Sequence, residues 1–411
     1  MRGVLFSLIV VSATAQSALD LKDLTTEALR NNREVLVAQK RYEAARQRPR
    51  QAGALPDPMF SGGYASNGNP LPGAGLGSNP TSNIGFSVTQ SIPYPGKRGL
   101  RENVASKEAD AFFEQYQLTQ LNVVARLKQA FFRLQHSYAA HEVLDRNREV
   151  LRELLHVTEA RYSVGKAAQQ DIFKMQTQLS MIEAKVLQLE QEHESAEAEI
   201  LSLLDREPGS ALPRPGEPHV AGLSITLAEL YSHAMNDAPM LRREQKMIER
   251  ADLAVNLAHK EYHPDYAITG GYYNQGSMAP MYTFRVDINV PLWVSRKQRP
   301  ALTEQVDNLS AARHNFEATG QTIHAQIRQD YTLARTSLDL MKLYRDTMLP
   351  QAKLAIESSL ASYQTGAVDF LSVLTNYMAV VDFEMNYHEE MQKYHLALTR
   401  LEEMTGLALI H

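Results

Sequence analysis

The sequence of 411 residues contains no cysteine and, after its N-terminal segment, no long run of apolar residues. Without cysteine the chain has no disulfide bonds, no thiolate metal ligands, no cysteine nucleophile and no lipid-modified N-terminal cysteine. A membrane-spanning helix needs about 20 consecutive apolar residues, and no segment approaches that length. If the chain spans a membrane, it must therefore do so as a closed β-barrel, in which backbone polar groups are paired between strands.

Signals for enzymatic chemistry and for nucleic-acid binding are absent as well. The net charge is −5, which provides no basic surface for a nucleic acid. Three His-Glu pairs could each begin a zinc-binding H-E-x-x-H motif, but the fifth positions hold Asp145, Glu197 and Gln392 instead of histidine. The sequence has no Walker loop and no G-x-S-x-G motif. These absences predict a protein that is not an enzyme and that binds neither a metal nor another cofactor.

Residues 1–15 have the composition of a secretory signal peptide. Arg2 supplies a positive charge, Val4 to Val11 form a short apolar core, and Ala13-Thr14-Ala15 offers a cleavage site before Gln16. The apolar core is too short to cross a bilayer as a helix. We therefore predict that the chain is exported. A buried N-terminal strand is the alternative interpretation of the same residues.

The segment from Met281 to Trp293 alternates between apolar and polar side chains. The apolar set is Tyr282, Phe284, Val286, Ile288, Val290 and Leu292, and the polar set includes Thr283, Arg285, Asp287 and Asn289. Successive side chains of a strand point to opposite faces, so the segment predicts a strand with one apolar and one polar face. In a membrane barrel such a strand would place Arg285, Asp287 and Asn289 in the lumen. The edge of a soluble sandwich shows the same alternation and is the alternative.

The two halves of the chain repeat the same order of motifs. Residues 16–206 form the first predicted repeat, residues 223–411 the second, and the Pro- and Gly-rich segment 207–222 the linker. Leu21, Leu24 and Ala28 recur as Leu227, Leu230 and Ala234, Gly62-Gly63-Tyr64 recurs as Gly270-Gly271-Tyr272, and Phe86, Val88 and Pro93 recur as Phe284, Val286 and Pro291. Each repeat therefore carries a predicted β-hairpin, over residues 57–93 and 263–293.

Four strands per chain cannot close a barrel by themselves, because the smallest transmembrane barrels have about eight strands. An open four-stranded sheet in lipid would leave unpaired backbone groups at its edges, each of which is costly. The strands must therefore be shared among copies of the chain.

A long helix is predicted after each hairpin, from Lys97 to Tyr162 in the first repeat and from Ala301 in the second. Pro350 interrupts the second long helix, and we expect a kink or a joint there. Helices of such length are typical of coiled coils and helical barrels rather than of compact domains.

A short turn ends each long helix, at Tyr162-x-x-Gly165 and at Tyr363-x-x-Gly366, where the glycine is expected to be a C-terminal cap. A return helix with an apolar seam at heptad spacing follows each turn. The seam has one polar residue in each repeat, His193 in the first and Glu390 in the second.

The order of helix, hairpin, long helix, Tyr-x-x-Gly turn and return helix, present twice, resembles the TolC-like family of outer-membrane efflux proteins. The stretch LPQAKLAIESSLASYQTG from Leu349 adds to this resemblance, and IPYPGKRGLR from Ile92 resembles the heavy-metal-efflux branch. The resemblance covers residues 16–411. It implies a mainly α fold with transmembrane β-structure: a homotrimer with a 12-stranded β-barrel, four strands per chain, that continues into a periplasmic α-helical barrel of long coiled-coil helices.

The resemblance also assigns a role to the two turns. Tyr162, Gly165, Tyr363 and Gly366 match the family's turn motif and are expected to dock a periplasmic adaptor protein.

The resemblance is incomplete at the expected gate. Family members often carry gate carboxylates at two positions that are Ser372 and Thr375 here. Asp369 lies one turn earlier and is the candidate replacement, and Asp171 matches the first turn. The alternative role for Asp171 and Asp369 is to cap the helix that follows each turn, which we favour for Asp171.

The function implied by the resemblance is a passive exit duct in the bacterial outer membrane that extends into the periplasm. It would receive metal ions or small toxic compounds from an inner-membrane pump, expected to be proton-driven, through the periplasmic adaptor. Two alternatives stay open: the outer-membrane component of type I protein secretion and, from another class, a periplasmic coiled-coil scaffold. The sequence leaves open the substrate, the pump type and the gate mechanism.

Overall fold

The computed structural model describes residues 19–67, 70–217, 220 and 222–410. The predicted signal peptide and part of the predicted linker therefore lie outside the described residues. The described chain is mainly helical and contains one antiparallel sheet, as the sequence predicts.

In the first half, the elements follow the order three helices, hairpin, long helix, return helix. They are α1 (Leu21–Asn31), α2 (Arg33–Ala45), α3 (Arg48–Gly53), β1 (Met59–Ala65), β2 (Asn83–Ile92), α4 (Lys97–Ser163) and α5 (Gln169–Leu203). The predicted long helix from Lys97 is thus a single element of 67 residues.

In the second half, two helices, a hairpin and an interrupted long helix precede the return helix. They are α6 (Leu227–Asp237), α7 (Pro239–Lys260), β3 (Asp265–Asn274), β4 (Met281–Asn289), α8 (Gln298–Leu343), a π-helical turn (Tyr344–Met348), α9 (Leu349–Gln364) and α10 (Phe370–Thr405). In the described part of the chain, no helix combines the length and the apolar character that crossing a membrane requires.

The interruption predicted at Pro350 takes the form of the π-helical turn, which ends two residues before the proline. Proline has no N–H to donate to the carbonyl of Asp346, and its ring would clash there in a regular α-helix. A single π turn relieves this conflict while the chain continues in the same helical sense, with Pro350 in the first turn of α9.

The chain forms two compact units, each built from segments of both halves. One unit, here called the helical unit, comprises the described residues within 19–36, 119–236 and 323–410. The other, here called the sheet unit, comprises Val37–Leu118 and Asp237–Thr322.

The core of the helical unit contains apolar side chains of α4, α5 and α10. They are Ala140, Leu144 and Leu151 on α4, Met175, Ile182, Val186 and Leu189 on α5, and Phe370 and Leu374 on α10. Burying a side chain of leucine size contributes roughly 1.5–3 kcal/mol, so this cluster is a main source of the unit's stability. Ile182, Val186 and Leu189 belong to the apolar seam that heptad spacing predicts for α5.

The two polar residues of the predicted seams have hydrogen-bond partners on the long helices. His193 Nδ1 lies 3.2 Å from Ser137 Oγ, and Ser337 Oγ donates to Glu390 Oε2 over 2.7 Å. A buried polar group without a partner would be destabilising, so these serines explain how the seams tolerate a polar residue.

The sheet unit contains four antiparallel strands in the order β1-β2-β3-β4, so β1 and β4 are the edge strands. The register places Phe60 opposite Val88, Val88 opposite Gly270, and Gly270 opposite Phe284. Directly opposed residues share a face of the sheet, so the alternation predicted for single strands extends across all four.

Two glycines on the polar face of the sheet are required by close approach. A Cβ at Gly85 would lie 2.1 Å from the carbonyl oxygen of Tyr272, and a Cβ at Gly271 would lie 2.7 Å from Thr283 Oγ1. The ring of Tyr273 lies against both positions. The glycines therefore make room for an aromatic ring on the polar face.

Candidate functional site

The turn at Tyr162-x-x-Gly165 closes α4 with a pair of hydrogen bonds. The N–H of Gly165 donates to the carbonyl of Tyr162 over 2.9 Å, and the N–H of Lys166 donates to the carbonyl of Arg161 over 2.8 Å. Gly165 has a φ of +73°, the left-handed conformation that glycine adopts without strain. This pattern is the Schellman form of the C-terminal cap that the sequence predicts.

The turn at Tyr363-x-x-Gly366 has the same geometry at the end of α9. Gly366 donates to Tyr363 over 3.1 Å, Ala367 donates to Ser362 over 2.9 Å, and Gly366 has a φ of +79°. A Cβ built at Gly165 or Gly366 would meet no atom within 4 Å. Backbone conformation therefore requires the glycines within one chain, and the space beside them is open.

The tyrosines of the two turns differ in their surroundings. Tyr162 is 44% exposed. Tyr363 packs against the core of the helical unit, with its ring 5.9 Å from that of Phe370 and 4.3 Å from the Arg161 guanidinium above it. Local sequence patterns contain no signal for this cation–π contact, because Arg161 and Tyr363 come from different halves of the chain.

Two of the four candidate gate residues, Asp369 and Ser372, take part in a helix cap. Asp369 is the N-cap of α10, and its Oδ1 accepts hydrogen bonds from the backbone N–H and the hydroxyl of Ser372. These bonds hold the pKa of Asp369 below its ordinary value. Thr375 is exposed one turn further along α10.

The capping role favoured for Asp171 is wrong. The N-cap of α5 is Ala168, which makes no side-chain capping bond, and Asp171 lies in the first turn of the helix instead. A carboxylate there still interacts favourably with the positive end of the helix dipole. The small residues before Asp171 carry no capping signal, so the sequence favours Asp171 as the cap although the helix begins earlier, at Gln169.

The polar face of the sheet contains the three residues predicted for a lumen. Arg285, Asp287 and Asn289 lie on the same face of β4, and Arg285 Nε forms an ion pair with Asp287 Oδ2 over 3.0 Å. Both partners are solvent-exposed, so the pair contributes little to stability. Its main effect is to place one positive and one negative group side by side on this face.

The opposite face of the sheet is apolar and uncovered. Phe60, Tyr282 and Phe284 are 75–77% exposed. Further apolar side chains continue the same face across the strands, namely Ile84, Phe86, Val88 and Val286. The described residues form one four-stranded sheet without a second sheet packed on it, which disfavours the sandwich alternative. Soluble surfaces rarely expose an apolar area of this extent, so the face needs an apolar environment.

Sequence reasoning missed a buried lysine where the sheet unit joins strand to helix. Lys97, at the start of α4, has a side chain only 1% exposed, and its Nζ lies 3.0 Å from Glu261 Oε2 and 2.9 Å from Asp265 Oδ1. The ammonium also donates to the carbonyl of His263 over 3.1 Å. A buried ammonium needs such partners, and together they tie α4 to the segment between α7 and β3. The only signal in the sequence was its place after Tyr94-Pro95-Gly96.

The histidines do not form a metal site among the described residues, where no group of three or more candidate ligands occurs. His141 Nε2 lies 3.1 Å from Asp145 Oδ2, and His193 Nε2 lies 3.4 Å from Glu197 Oε1. The acidic residues that occupy the fifth position of the rejected zinc motifs therefore pair with these histidines along the helix.

One histidine of the helical unit has a strongly altered acidity. Burial, with a smaller effect of nearby His388, lowers the pKa of His136 to about 4. Burial also lowers the pKa of His388. The Nδ1 atoms of both rings are buried without a hydrogen-bond partner among the described residues.

Comparison with known proteins decides the family. A model of the outer membrane efflux protein family matches residues 24–206 and 230–407. The chain belongs to this family. The match covers most of both halves, and it confirms the resemblance inferred from the turns and hairpins. The protein is therefore an outer-membrane efflux protein and not an enzyme.

Two curated relatives are distant in sequence. The nickel-cobalt-cadmium resistance protein NccC of Alcaligenes xylosoxydans xylosoxydans is 24% identical over 239 residues, which are 56% of this chain and 52% of that protein. The chain thus spans about half the length of this relative in the match. The outer membrane protein TolC of Vibrio cholerae is 20% identical over 338 residues, 78% of this chain and 76% of that protein.

Solved structures show the same fold over nearly the whole chain. CusC, described as forming a transmembrane channel, superposes with a TM-score of 0.79 at 16% identity, covering 95% of this chain and 93% of that one. The outer membrane protein VceC of Vibrio cholerae has the same TM-score at 18% identity, covering 94% and 96%. This similarity confirms the predicted TolC-like fold of the single chain, mainly helical with a small antiparallel sheet.

Proposed function

We propose that three copies of this protein form an outer-membrane exit duct, which conducts substrates passively from an inner-membrane pump and a periplasmic adaptor to the outside. The observation that carries this proposal is the sheet, with one exposed apolar face, one polar face and two edge strands. Lipid on the apolar face removes its contact with water. Pairing of the edge strands between copies gives hydrogen-bond partners to the backbone N–H and C=O groups at the edges, which lipid cannot do.

In this duct the polar face of the sheet lines a water-filled lumen. Arg285 and Asp287 then face the substrate path as an ion pair rather than as charges of one sign. A lumen with balanced charge has little selectivity for cations or anions. Substrate choice therefore lies with the pump and the adaptor, and the duct serves whatever they deliver.

Metal ions are the substrate class that the comparisons favour, because NccC is by name a metal-resistance protein. The stretch IPYPGKRGLR from Ile92 supports the same branch. Small toxic compounds are the second candidate.

Type I protein secretion stays the alternative transport role, and the family match disfavours the periplasmic scaffold. Expression together with a proton-driven or an ATP-driven pump, followed by export assays, distinguishes these systems.

The test of the two sheet faces uses matched arginine substitutions on β4. Val286→Arg places a charge against lipid, which costs roughly 2–4 kcal/mol near the middle of the bilayer, so we expect little protein in the outer membrane. Asn289→Arg places the same side chain on the lumen face and should leave the amount close to that of the wild type. The measurement is the amount of folded protein in isolated outer membranes. Equal losses in both variants would contradict the proposed orientation.

The proposed adaptor contact lies at the two turns, because both glycines leave open space for the backbone of a partner. Gly165→Val and Gly366→Val strain the left-handed backbone and are expected to cost about 1–2 kcal/mol. Asparagine tolerates that conformation far better. Gly165→Asn and Gly366→Asn therefore keep the cap while they place a side chain at the turn.

We expect the two asparagine variants to reach the outer membrane in normal amounts but to lose export and chemical crosslinking to the adaptor. The measurements are trimer abundance, substrate resistance and crosslinking in the same cells. Export that falls only in proportion to trimer abundance would show that the glycines serve the cap alone and that docking occurs elsewhere.

A further inference from the structure

The end of the sheet that lies away from the helices carries two loops of unequal length. Residues 66–82 join β1 to β2, and residues 275–280 join β3 to β4. The sequence has no charged residue from Pro58 to Gly96, a stretch that contains both strands of the first hairpin and its loop. The longer loop can therefore form no ion pair, and hydrogen bonds and packing decide where it lies.

Two hydrogen bonds hold the first part of this loop on the apolar side of the sheet. Tyr64 lies on the apolar face of β1, because an even number of residues separates it from Phe60. Its hydroxyl donates to the carbonyl of Pro70, and Ser66 Oγ donates to the carbonyl of Ala74 over 3.0 Å. A tyrosine hydroxyl lies beyond the end of its ring, so Pro70 is displaced from the plane of the sheet toward the apolar side.

The second part of the loop is fixed to the loop of the other hairpin. The N–H of Gly77 donates to the carbonyl of Gln275 over 2.9 Å, and Ser277 Oγ donates to the carbonyl of Gly77 over 3.0 Å. Gln275 Nε2 also donates to the carbonyl of Pro80 over 2.8 Å. A Cβ at Gly276 would lie 2.6 Å from the nitrogen of Gly77, so glycine allows this close approach. The longer loop is thus held at two places.

An apolar segment lies between these contacts, Pro70-Leu71-Pro72, here called the loop tip. Leu71 is 65% exposed, and both prolines are exposed as well. The rings of Tyr272 and Tyr282 lie on the apolar face at the same end of the sheet, with centroids 5.5 Å apart. The loop tip therefore continues the apolar face beyond the ends of the strands.

We propose that the loop tip lies against lipid of the outer leaflet and that it leaves the mouth of the lumen uncovered. This inference rests on the duct proposed above and names the partner of its longer outer loop. Tyrosine rings are enriched where a membrane barrel meets water, with the ring at the edge of the lipid. Because the Tyr64 hydroxyl binds the carbonyl of Pro70, the loop tip lies at this depth.

The backbone of the loop tip suits contact with lipid, because few of its polar groups need water. Pro70 and Pro72 have no N–H. The carbonyl of Pro70 accepts from Tyr64, and the carbonyl of Leu71 accepts from the N–H of Ala74 over 3.1 Å. Unpaired backbone groups exclude most loops from lipid, and these bonds remove that cost.

The side chains of the loop fit the acyl chains of a lipid rather than its phosphate group or the lumen. Arginine and lysine are the usual side chains that bind a phosphate, and the stretch from Pro58 to Gly96 has neither. The polar face of the sheet, in contrast, carries the ion pair of Arg285 and Asp287. Transfer of the Leu71 side chain from water to lipid is favourable.

Quenching of tryptophan fluorescence by brominated lipid tests where the loop tip lies, because bromine quenches only at short range. The single tryptophan of the chain is first removed with Trp293→Phe. Leu71→Trp then reports on the loop tip, Tyr282→Trp on the apolar face at the same end, and Ala65→Trp on the polar face. Each full-length variant is purified as the assembled protein. It is reconstituted in phosphatidylcholine vesicles with or without bromine on the acyl chains.

We expect Leu71→Trp to lose a fraction of its emission close to that lost by Tyr282→Trp. Ala65→Trp should keep nearly all of its emission, because it faces the lumen. Pro72→Trp is a second probe of the loop tip and should behave as Leu71→Trp does.

The hydrogen bonds that hold the loop tip are tested in the Leu71→Trp background. Tyr64→Phe combined with Ser66→Ala removes both donors and should reduce the quenching by brominated lipid. Tyr282→Phe removes a hydroxyl at the same end of the apolar face and should leave the quenching unchanged. An equal effect of the two changes would contradict the role of these bonds in placing the tip.

The outcomes separate this inference from the duct on which it rests. If brominated lipid quenches Tyr282→Trp but neither Leu71→Trp nor Pro72→Trp, the loop tip does not contact lipid and the duct stands. If Tyr282→Trp is not quenched either, or if Ala65→Trp is quenched to the same extent, the membrane placement of the sheet and the duct itself are overturned.

Discussion

The two Tyr-x-x-Gly turns have the same backbone conformation, but their side chains make different contacts. Gly165 and Gly366 make equivalent cap bonds, with φ values of +73° and +79°. In the second turn Tyr363 lies between Arg161 and Phe370, and Asp369 caps the next helix. In the first turn Tyr162 is exposed, and the helix that follows has no side-chain cap.

A repeated sequence motif thus fixes backbone conformation more strongly than it fixes packing. Glycine determines the left-handed residue locally, so both turns obtain it. Packing depends on which neighbours the tertiary structure supplies, and only Tyr363 receives Arg161 from the other half of the chain. Both turns belong to the proposed docking surface, and we expect the side chains of the second turn to contribute more to the stability of the chain than those of the first.

The largest expected difference concerns the two tyrosines. Tyr363→Ala removes the ring from the core, from Phe370 and from the Arg161 guanidinium, and should cost about 2–3 kcal/mol of stability. Tyr162→Ala removes an exposed ring and should change stability by less than about 0.5 kcal/mol. Thermal unfolding of the purified protein in detergent measures both. Similar losses in the two variants would show that both tyrosines contribute equally to the stability of the chain.

A second comparison concerns buried polar side-chain atoms on the long helices. On α8 Ser337 has Glu390 as its partner, whereas the Nδ1 of His136 on α4 has none among the described residues. Because the pKa of His136 falls from 6.5 to about 4, the folded state binds its proton less tightly than the unfolded state does. Stability is therefore fully present above about pH 6.5 and is lost as the pH falls toward 4.

We expect this histidine to lower the free energy of unfolding by about 2 kcal/mol between pH 7 and pH 5. His136→Leu should show a smaller decrease in Tm over the same range. His141→Gln changes a more exposed histidine of the same helix and serves as the control, with a wild-type decrease. An unchanged pH dependence in His136→Leu would mean that other groups cause the acid sensitivity.

The smallest expected difference concerns the carboxylates after the turns. Asp369→Ala removes the N-cap of α10 and should lower Tm by about 1–3 °C, whereas Asp171→Ala removes no capping bond and should have a smaller effect.

The same pair of variants tests the gate, through export or ion conductance measured at equal protein amounts. A change in conductance with Asp369→Ala but not with Asp369→Ser, which can still cap the helix, would tie any gating effect to the cap. A change with both variants would show that the carboxylate has a role beyond the cap.

Much of the fold could be predicted because its signals are local. Alternating side chains identified β4 and its polar residues Arg285 and Asp287, and the glycines identified both turns. Pro350 identified the interruption of the second long helix. Each of these features depends on backbone geometry within a few residues, where sequence and structure are directly coupled.

The amino-acid sequence by itself determined which segments are strands, where the long helices end and which face of each strand is apolar, because these follow from periodicity and from the conformational freedom of glycine. Only the tertiary structure decided which of two equivalent residues is packed against partners and which is left exposed. It placed Arg161 over Tyr363, buried Lys97 between Glu261 and Asp265, and left Asp57 exposed. Such contacts join residues far apart in the chain, and their strength depends on burial, which no short stretch of sequence specifies.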